Sequence, residues 1–351
     1  MKIFSDYHHS GLFYSLHLLF EKRLGFELYR PIGMEWFPEW WDIAKPYNQN
    51  EDTARQYLDM RDSEPFYSPK DGSPVLNSIV DQNPNYYVVE ELVHGYRQKA
   101  ITFQQFLDMD IDIFIASIPD HWVTYTKLRD TYKPKAKVIC QMGNIFWENE
   151  EVIRGGIVKN LLASTKEFST PGVHSVFYHQ EQPVIPYKDP EKTGKITSFV
   201  HLLPKKEQFF SYEAHAPQFD WKAYGAGSVH GWITKLEDVY RHMQNSEYIY
   251  HVKPHGDGYG WVWHSAFMVG RPVLTNFSDY KDKLGGLLFE DGVTGVDLER
   301  RTVQENCAMI LKFHNEDYVI QMSRNARKRW EEVVNYDKEE ENIRKFLDHL
   351  I

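Results

Sequence analysis

The 351-residue chain has only two cysteines, Cys140 and Cys307, far apart and without a CxxC or metal-type spacing. This excludes a disulfide framework and a thiolate zinc site and leaves two buried thiols as the expectation. Long apolar runs are missing as well: none approaches the roughly 18 residues that a membrane span needs. The opening MKIFSDYHHSG lacks a cationic start followed by a long apolar middle, so a cytosolic protein is expected. Positive charge is in deficit, with 40 Lys and Arg against 50 Asp and Glu for a net charge of −10. A nucleic-acid partner is therefore disfavoured, although a local basic patch is compatible with that balance. The 16 histidines include His8, His9, His251 and His255, yet they form no HExxH, no facial carboxylate triad and no i, i+4 pair on one helix face. No metal site is expected. Internal repeats and low-complexity segments are also lacking.

The residues that are plentiful describe a folded chain, with 42% hydrophobic and 26% charged residues. Its length suits two cores better than one, because single cores stop growing at about 250–300 residues. Aromatics reach 15%, with 10 Trp and 22 Tyr. Such residues serve either an aromatic core or stacking surfaces for sugars and bases, and both readings stay open.

Along the chain, strands and helices alternate. MKIFS reads as a strand, DYHHSG as a turn, and LFYSLHLLFEKRLGFELYRP as a helix running into a second strand. Residues 31–80 are rich in Pro, Trp, Asn and Asp without a sustained period and read as an insertion or long loop. ITFQQFLDMD is a helix, DIFIAS an apolar strand, IPDHW a turn before another helix, and KAKVICQMG the next strand; NLLASTKEFS and VHSVFYHQ close this half. The polar stretch YKDPEKTGK, residues 187–195, reads as a linker. The alternation then resumes through ITSFVHLL, QFDWKAYGAG, ITKLEDVYRHMQNS, YIYHVKP, RPVLTN and GGLLFEDGVTGVDL, and amphipathic helices follow Thr302. Continuous apolar strands joined by helices specify parallel sheets covered on both faces. The expected fold class is α/β, with two doubly wound, Rossmann-like domains facing across a cleft. Residues 1–190 form the first and residues 191–330 the second, while residues 331–351 form a helix packing back on the first. Ligands are expected beyond the carboxyl ends of the strands.

The stretch HGDGYGWVWHSAFMVGRPVLTN, residues 255–276, carries the chemistry. A helix that begins on a glycine turn aims backbone N–H groups and the positive end of its dipole at whatever occupies the turn, which suits a phosphate.

In order and spacing, residues 195–300 resemble the carboxy-terminal domain of GT-B-fold glycosyltransferases, most closely the retaining family 4, or glycosyl transferases group 1, type. Pro254 takes the family's proline, Asp257-Gly258-Tyr259-Gly260 stands in for its glutamate-glycine-phenylalanine-glycine turn, and Gly270-Arg271-Pro272-Val273 is an intact ending. DGVTGVDL, residues 291–298, matches the DGxTG segment that follows. The resemblance implies a nucleotide-sugar donor, a glycan or other hydroxyl acceptor, retention, no obligatory metal and no cofactor. It implies that Asp257 lies near the donor sugar and acts in catalysis, with Gly258, Tyr259 and Gly260 completing the donor turn. The family's second glutamate, which grips the ribose, falls on Ser265, with His264 beside it as an alternative. A hydroxyl cannot grip a diol as a carboxylate does. The family's diphosphate cations fall in HLLPKKEQ, on Lys205 and Lys206, a pair that also reads as solvated surface; Lys253 competes with them.

In the amino half, the resemblance brings the loop after the first strand to donor and acceptor. Ser10 and Gly11 then serve the donor, and His8 and His9 the acceptor; Ser10 also reads as an ordinary helix N-cap. The family's middle-loop histidine corresponds to His121, whose neighbour Asp120 either orients it or acts as a base toward the acceptor hydroxyl. Asn144, on the acceptor side, and Glu181 follow by loop position. Two other functions are compatible with these residues: a phage-type DNA-base glucosyltransferase of the same fold, and, given Ser265, an inactive nucleotide- or glycan-binding module.

Overall fold

A computed structural model of the protein describes residues 1–5, 10–31, 87–88, 97–101, 103–116, 119–142, 158–164, 171–225, 227–233, 236–254, 256–257 and 259–351. The chain divides into two compact units. The first comprises Met1–Ala163, Phe168–Val176 and Glu340–Ile351, and the second Ser164–Glu167 and Phe177–Glu339.

The strands of the first unit are β1 (Lys2–Ser5), β2 (Glu27–Pro31), β3 (Tyr87–Val88), β4 (Arg97–Ile101), β5 (Ile113–Ala116), β6 (Lys137–Met142), β7 (Asn160–Ala163) and β8 (His174–Phe177). They form one sheet in the order β3-β4-β2-β1-β5-β6-β7-β8. β1 pairs in parallel with both β2 and β5, and β2 with β4, β5 with β6 and β6 with β7 are parallel too. Every residue of β5 is buried, as a parallel strand covered on both faces requires. Helices α1 (Ser10–Leu16), continued by a π-helical turn over His17–Arg23, α2 (Phe103–Asp108) and α3 (Pro119–Tyr132) connect these strands. Phe4, Phe106, Phe114 and Tyr125 pack ring against ring in the core, with centroids 5.3–6.0 Å apart. The two ring systems at the strand centres thereby tie both flanking helices to the sheet.

The second unit builds a fully parallel sheet from β9 (Lys195–Ser198), β10 (Asp220–Ala223), β11 (Tyr248–Tyr250), β12 (Val273–Thr275) and β13 (Gly295–Asp297), in the order β10-β9-β11-β12-β13. Its helices are α4 (Lys206–His215), α5 (Leu236–Gln244), α6 (Trp261–Met268), α7 (Val303–Asn315) and α8 (Tyr318–Val333), while α9 (Tyr336–Asp348) begins in this unit and belongs from Glu340 onward to the first. Successive strand residues point to opposite faces, and the core follows that rule. Tyr248 and Tyr250 join a cluster with Phe209, Trp221 and Ile310, whereas Ile249 joins another with Met243, Phe267 and Trp330. The sheet is therefore covered on both sides, as the apolar strands predict.

The boundary between the units differs from the expected one near residue 190. The second unit begins at Phe177, because the polar linker candidate is preceded by a segment that packs on α6. Ile185 is buried in that core, its N–H lies 3.5 Å from Met268 Sδ, and Gln244 Nε2 donates to Pro186 O at 2.7 Å. At the carboxyl end, Phe346 of α9 stacks on His174 at 4.6 Å, and Asn160 exchanges two hydrogen bonds with the backbone of Ile351. Among the described residues, no helix is long and apolar enough to cross a membrane. Both cysteines are free and buried.

Gly295 of the DGxTG segment shows why a motif glycine is required. A Cβ there would lie 2.4 Å from Val273 O and 2.6 Å from Phe289 Cε2. Gly295→Ala is expected to destabilise the second unit by about 1–3 kcal/mol through overpacking. Urea unfolding checks this, and an unchanged midpoint would contradict the packing described.

Candidate active site of the second unit

In a doubly wound sheet, ligands bind outside the carboxyl ends of the strands where the winding reverses. In the second unit the chain moves from β9 outward to β10, then returns across β9 to β11. The reversal lies between β9 and β11, whose carboxyl ends are Ser198 and Tyr250. Topology thus selects two segments, residues 199–205 and residues 251–260.

The first segment is strained. Leu202 and Leu203 both adopt positive φ, 60° and 40°, where non-glycine residues cost roughly 1–3 kcal/mol each. Leucines hold this left-handed backbone without a glycine. The neighbouring loop braces it: the Ser228 hydroxyl donates from Oγ to Val200 O at 2.8 Å, and a Cβ on Gly225 would meet Val200 O at 2.9 Å. Lys205 is the N-cap of α4, with its Nζ 3.9 Å from Asp279 Oδ2, and Lys206 opens the helix with an exposed side chain.

The second segment forms a tight turn, closed by Gly256 N–H donating to Lys253 O at 2.9 Å. Gly256 has φ +62°, and a Cβ there would fall 2.4 Å from both Asp279 O and Lys283 Nζ. Only glycine fits. Gly260, at φ 75°, is the N-cap of α6 and brings no side-chain acceptor to the first-turn N–H groups. Gly258 lies outside the described residues.

Between these points sits Asp257. Its carboxylate is ion-paired with Lys253 and lies 3.3 Å from His251 Nε2. Burial by itself pushes the Asp257 carboxyl up. The adjoining His251 and Lys253 outweigh that and hold it well below the usual carboxylate range. A third segment, after β12, adds Asp279 and Lys283. Lys283 is buried, donates to Asp279 O at 2.6 Å and lies over the Tyr280 ring. Sequence reasoning missed Asp279 and Lys283, and considered His251 only as a metal ligand. YKDK, residues 280–283, carries charge in a loop but no motif.

Three other expected donor residues are turned away from solvent. Ser265 is buried and its Oγ donates to Gln182 Oε1 at 2.6 Å. His264 is buried face to face with Tyr259, with centroids 4.1 Å apart and planes 5° from parallel. Burial, reinforced by His179, holds the His264 imidazole well below its usual pKa, hence neutral. His179 approaches it edge-on at 5.2 Å, and Glu339 fixes His179 through Nδ1 at 2.5 Å and through the backbone N–H at 2.9 Å. The position of the family's second glutamate is thus taken by a serine in an internal hydrogen bond, and Ser265, Tyr259 and His264 are all packed inside the protein under the turn. The DGxTG segment is likewise structural: Asp291 accepts from Asp297 N–H at 2.8 Å and from Arg301 at 2.7 Å.

In the first unit the parallel strands run in the order β4-β2-β1-β5-β6-β7, with the reversal between β1 and β5. Ser10 and Gly11 open α1, and Asp120 and His121 lie in the first turn of α3. Trp122 Nε1 donates to Ala116 O at 3.0 Å and pins that turn to the end of β5. His8, His9 and Asn144 lie outside the described residues. Glu181 belongs to the second unit, beside the Gln182 that meets Ser265. Among the described residues, no group of three or more His, Cys, Asp or Glu side chains could hold a metal ion.

This architecture is shared with solved glycosyltransferase structures. HepE of Anabaena, in complex with UDP and glucose, superposes with a TM-score of 0.63 at 13% identity, covering 100% of each chain. TarM of S. aureus gives 0.63 at 12% identity and 99% of each chain. The sucrose-phosphate synthase of Thermosynechococcus elongatus gives 0.61 at 8% identity, over 99% of this chain and 98% of that one. The fold of the chain is accordingly the GT-B fold, with two Rossmann-like parallel α/β units. No protein-family model and no curated protein matches the chain.

Asp257→Asn is expected to lower stability at pH 7 by about 1–3 kcal/mol, because it weakens the pairing of a largely buried group. The folded carboxyl titrates below its unfolded value of about 3.9. The contribution is therefore complete above that value and is lost as pH falls through the folded one. Urea unfolding of both proteins at pH 7 and pH 3 checks the sign: the gap shrinks at the lower pH, and a constant gap contradicts the pairing.

Proposed function

We propose that the chain is a glycosyltransferase that moves a sugar from a UDP-sugar to a glycan or other hydroxyl acceptor, with retention and without a metal ion. The observation that carries this reading is the placing of Lys205, Lys253 and the amino end of α6 around the β9–β11 reversal of a GT-B fold. The fold likeness extends over the whole chain, and its neighbours include HepE in complex with UDP-glucose and TarM in complex with UDP and alpha-GlcNAc-glycerol.

The chemistry asks little more. The bond from the sugar's anomeric carbon to the diphosphate oxygen breaks and its electron pair leaves with UDP, the acceptor oxygen forms the new bond to that carbon, and the acceptor's proton passes to the departing diphosphate. Stabilising the departing diphosphate is the main task, and preorganised cations and N–H groups accomplish it. Asp120 and His121, in the first turn of α3, are proposed to meet the acceptor hydroxyl and the sugar. Ser10 and Gly11, opening α1, are proposed to approach the donor phosphates, and His8, His9 and Asn144 the acceptor. The net charge of −10 does not favour a duplex DNA acceptor.

Purified protein is expected to melt at a higher temperature with UDP, gaining about 2.7 kcal/mol at a hundredfold excess over Kd, and to release UDP from UDP-glucose or UDP-GlcNAc when an acceptor is supplied. His121→Ala is expected to slow transfer about a hundredfold while leaving the UDP-induced shift intact. Absence of any shift with nucleoside diphosphates overturns the reading. A shift without turnover over a range of acceptors identifies a binding module instead.

A further inference from the structure

His251, Asp257 and Lys253 form a chain of contacts that runs from the end of β11 to the surface. The His251 side chain is 2% exposed and lies beside the stacked rings of Trp263 and Tyr280, 6.2 and 5.7 Å away. Its Nε2 approaches Asp257 Oδ2, and neither ring nitrogen has a hydrogen-bond partner. Asp257 Oδ1 is taken by the Lys253 ammonium, four residues back across the Gly256 turn. The Asp257 side chain is 15% exposed and that of Lys253 39%. Both carboxylate oxygens therefore face protein groups, and the end of the chain that reaches solvent is cationic.

A carboxylate that grips a sugar hydroxyl needs an oxygen turned toward the ligand. Asp257 has none. A carboxylate that holds a lysine in place needs the arrangement found here: a largely covered side chain, an imidazole behind it and a short loop that fixes the spacing. An ammonium donates in several directions. Asp257 takes one of them, and the outward ones stay available for phosphate oxygens. The ion pair is also a dipole with its positive end outward, next to the amino end of α6 and its own positive pole. Fixing a long, flexible side chain in advance removes the ordering cost that it would otherwise incur on binding. The competing cations are placed differently. Lys205 faces Asp279, Lys206 is on the exposed start of α4, and the Lys283 ammonium is buried against Asp279 O.

We propose that Asp257 is a positioning residue rather than a sugar ligand: backed by His251, it fixes the Lys253 ammonium at the β9–β11 reversal, and Lys253 is the cation that binds the donor diphosphate. This rests on the UDP-sugar reading above.

The test is a double-mutant cycle read by calorimetry with two ligands, UDP and UDP-glucose, on the full chain. Lys253→Ala is expected to weaken both ligands alike, by about tenfold or more, because both carry the diphosphate. Asp257→Asn is expected to weaken both by about fivefold, and to add less than about twofold in the Lys253→Ala background, since it acts through the lysine. Lys253→Arg keeps UDP affinity within about threefold of wild type. The proposal is overturned if Lys253→Ala leaves UDP binding unchanged. It is also overturned if Asp257→Asn weakens UDP-glucose but not UDP, or if the two losses multiply. Should Asp257→Asn fail to fold, the Lys253→Ala and Lys253→Arg pair still decides the lysine's role, and Asp257→Glu replaces it in the cycle. A wild type that binds neither UDP nor UDP-glucose removes the functional reading, and inorganic pyrophosphate then becomes the probe. Pyrophosphate binding lost in Lys253→Ala supports the anion site; binding that is absent or unaffected ends the proposal.

Discussion

The parallel pairing of β11 between β9 and β12 is the constraint on which the site of the second unit depends. His251 N–H donates to Leu274 O at 2.9 Å, and Thr275 Oγ1 donates to His251 O at 2.8 Å. These bonds hold the strand to its end and fix where the chain leaves the sheet. Because Tyr248 and Tyr250 serve one face and Ile249 the other, a slip of one residue would turn tyrosines into the space of an isoleucine and reverse both cores. Register is thus enforced by packing on two sides at once. Everything polar at the carboxyl edge inherits its position from that enforcement.

Electrostatics at this edge follows from burial. Two carboxylates, Asp257 and Asp279, each lie beside a lysine supplied by another turn of the chain or another segment. Glycine makes the crowding feasible, since Gly256 leaves room for the Lys283 ammonium and Asp279 carbonyl that a Cβ would displace. The strained Leu202-Leu203 backbone is held by the adjacent loop through Ser228 and Gly225. Strain and buried charge therefore lie on adjoining loops at one edge, supported from the rest of the unit by neutral packing such as the Tyr259–His264 stack.

Much of this was legible in the residues. DIFIAS, YIYHVKP and RPVLTN become strands because apolar β-formers bounded by polar or glycine-containing turns leave little alternative, and GDGYG before an apolar run becomes the entry of α6 for the same reason. The unit boundary was not legible: YKDPEKTGK has linker composition, but the burial of Ile185 just before it is a tertiary fact. The family's second-glutamate position falls on Ser265, yet spacing could not reveal that residues 178–187 cover that side of α6 and engage its hydroxyl through Gln182. Asp279 and Lys283 were invisible for a related reason. They arrive from the loop after β12, and only the sheet order brings that loop beside the glycine turn.

A UDP-bearing donor is proposed to occupy the carboxyl edge of the second sheet, where β9 and β11 diverge. Hydrogen exchange followed by mass spectrometry, with and without saturating UDP, tests it most directly, because ligand binding slows local opening at the groups it touches. The predicted result is protection concentrated in residues 199–205 and 251–262. Protection confined to other segments, with those two unchanged, would contradict the claim.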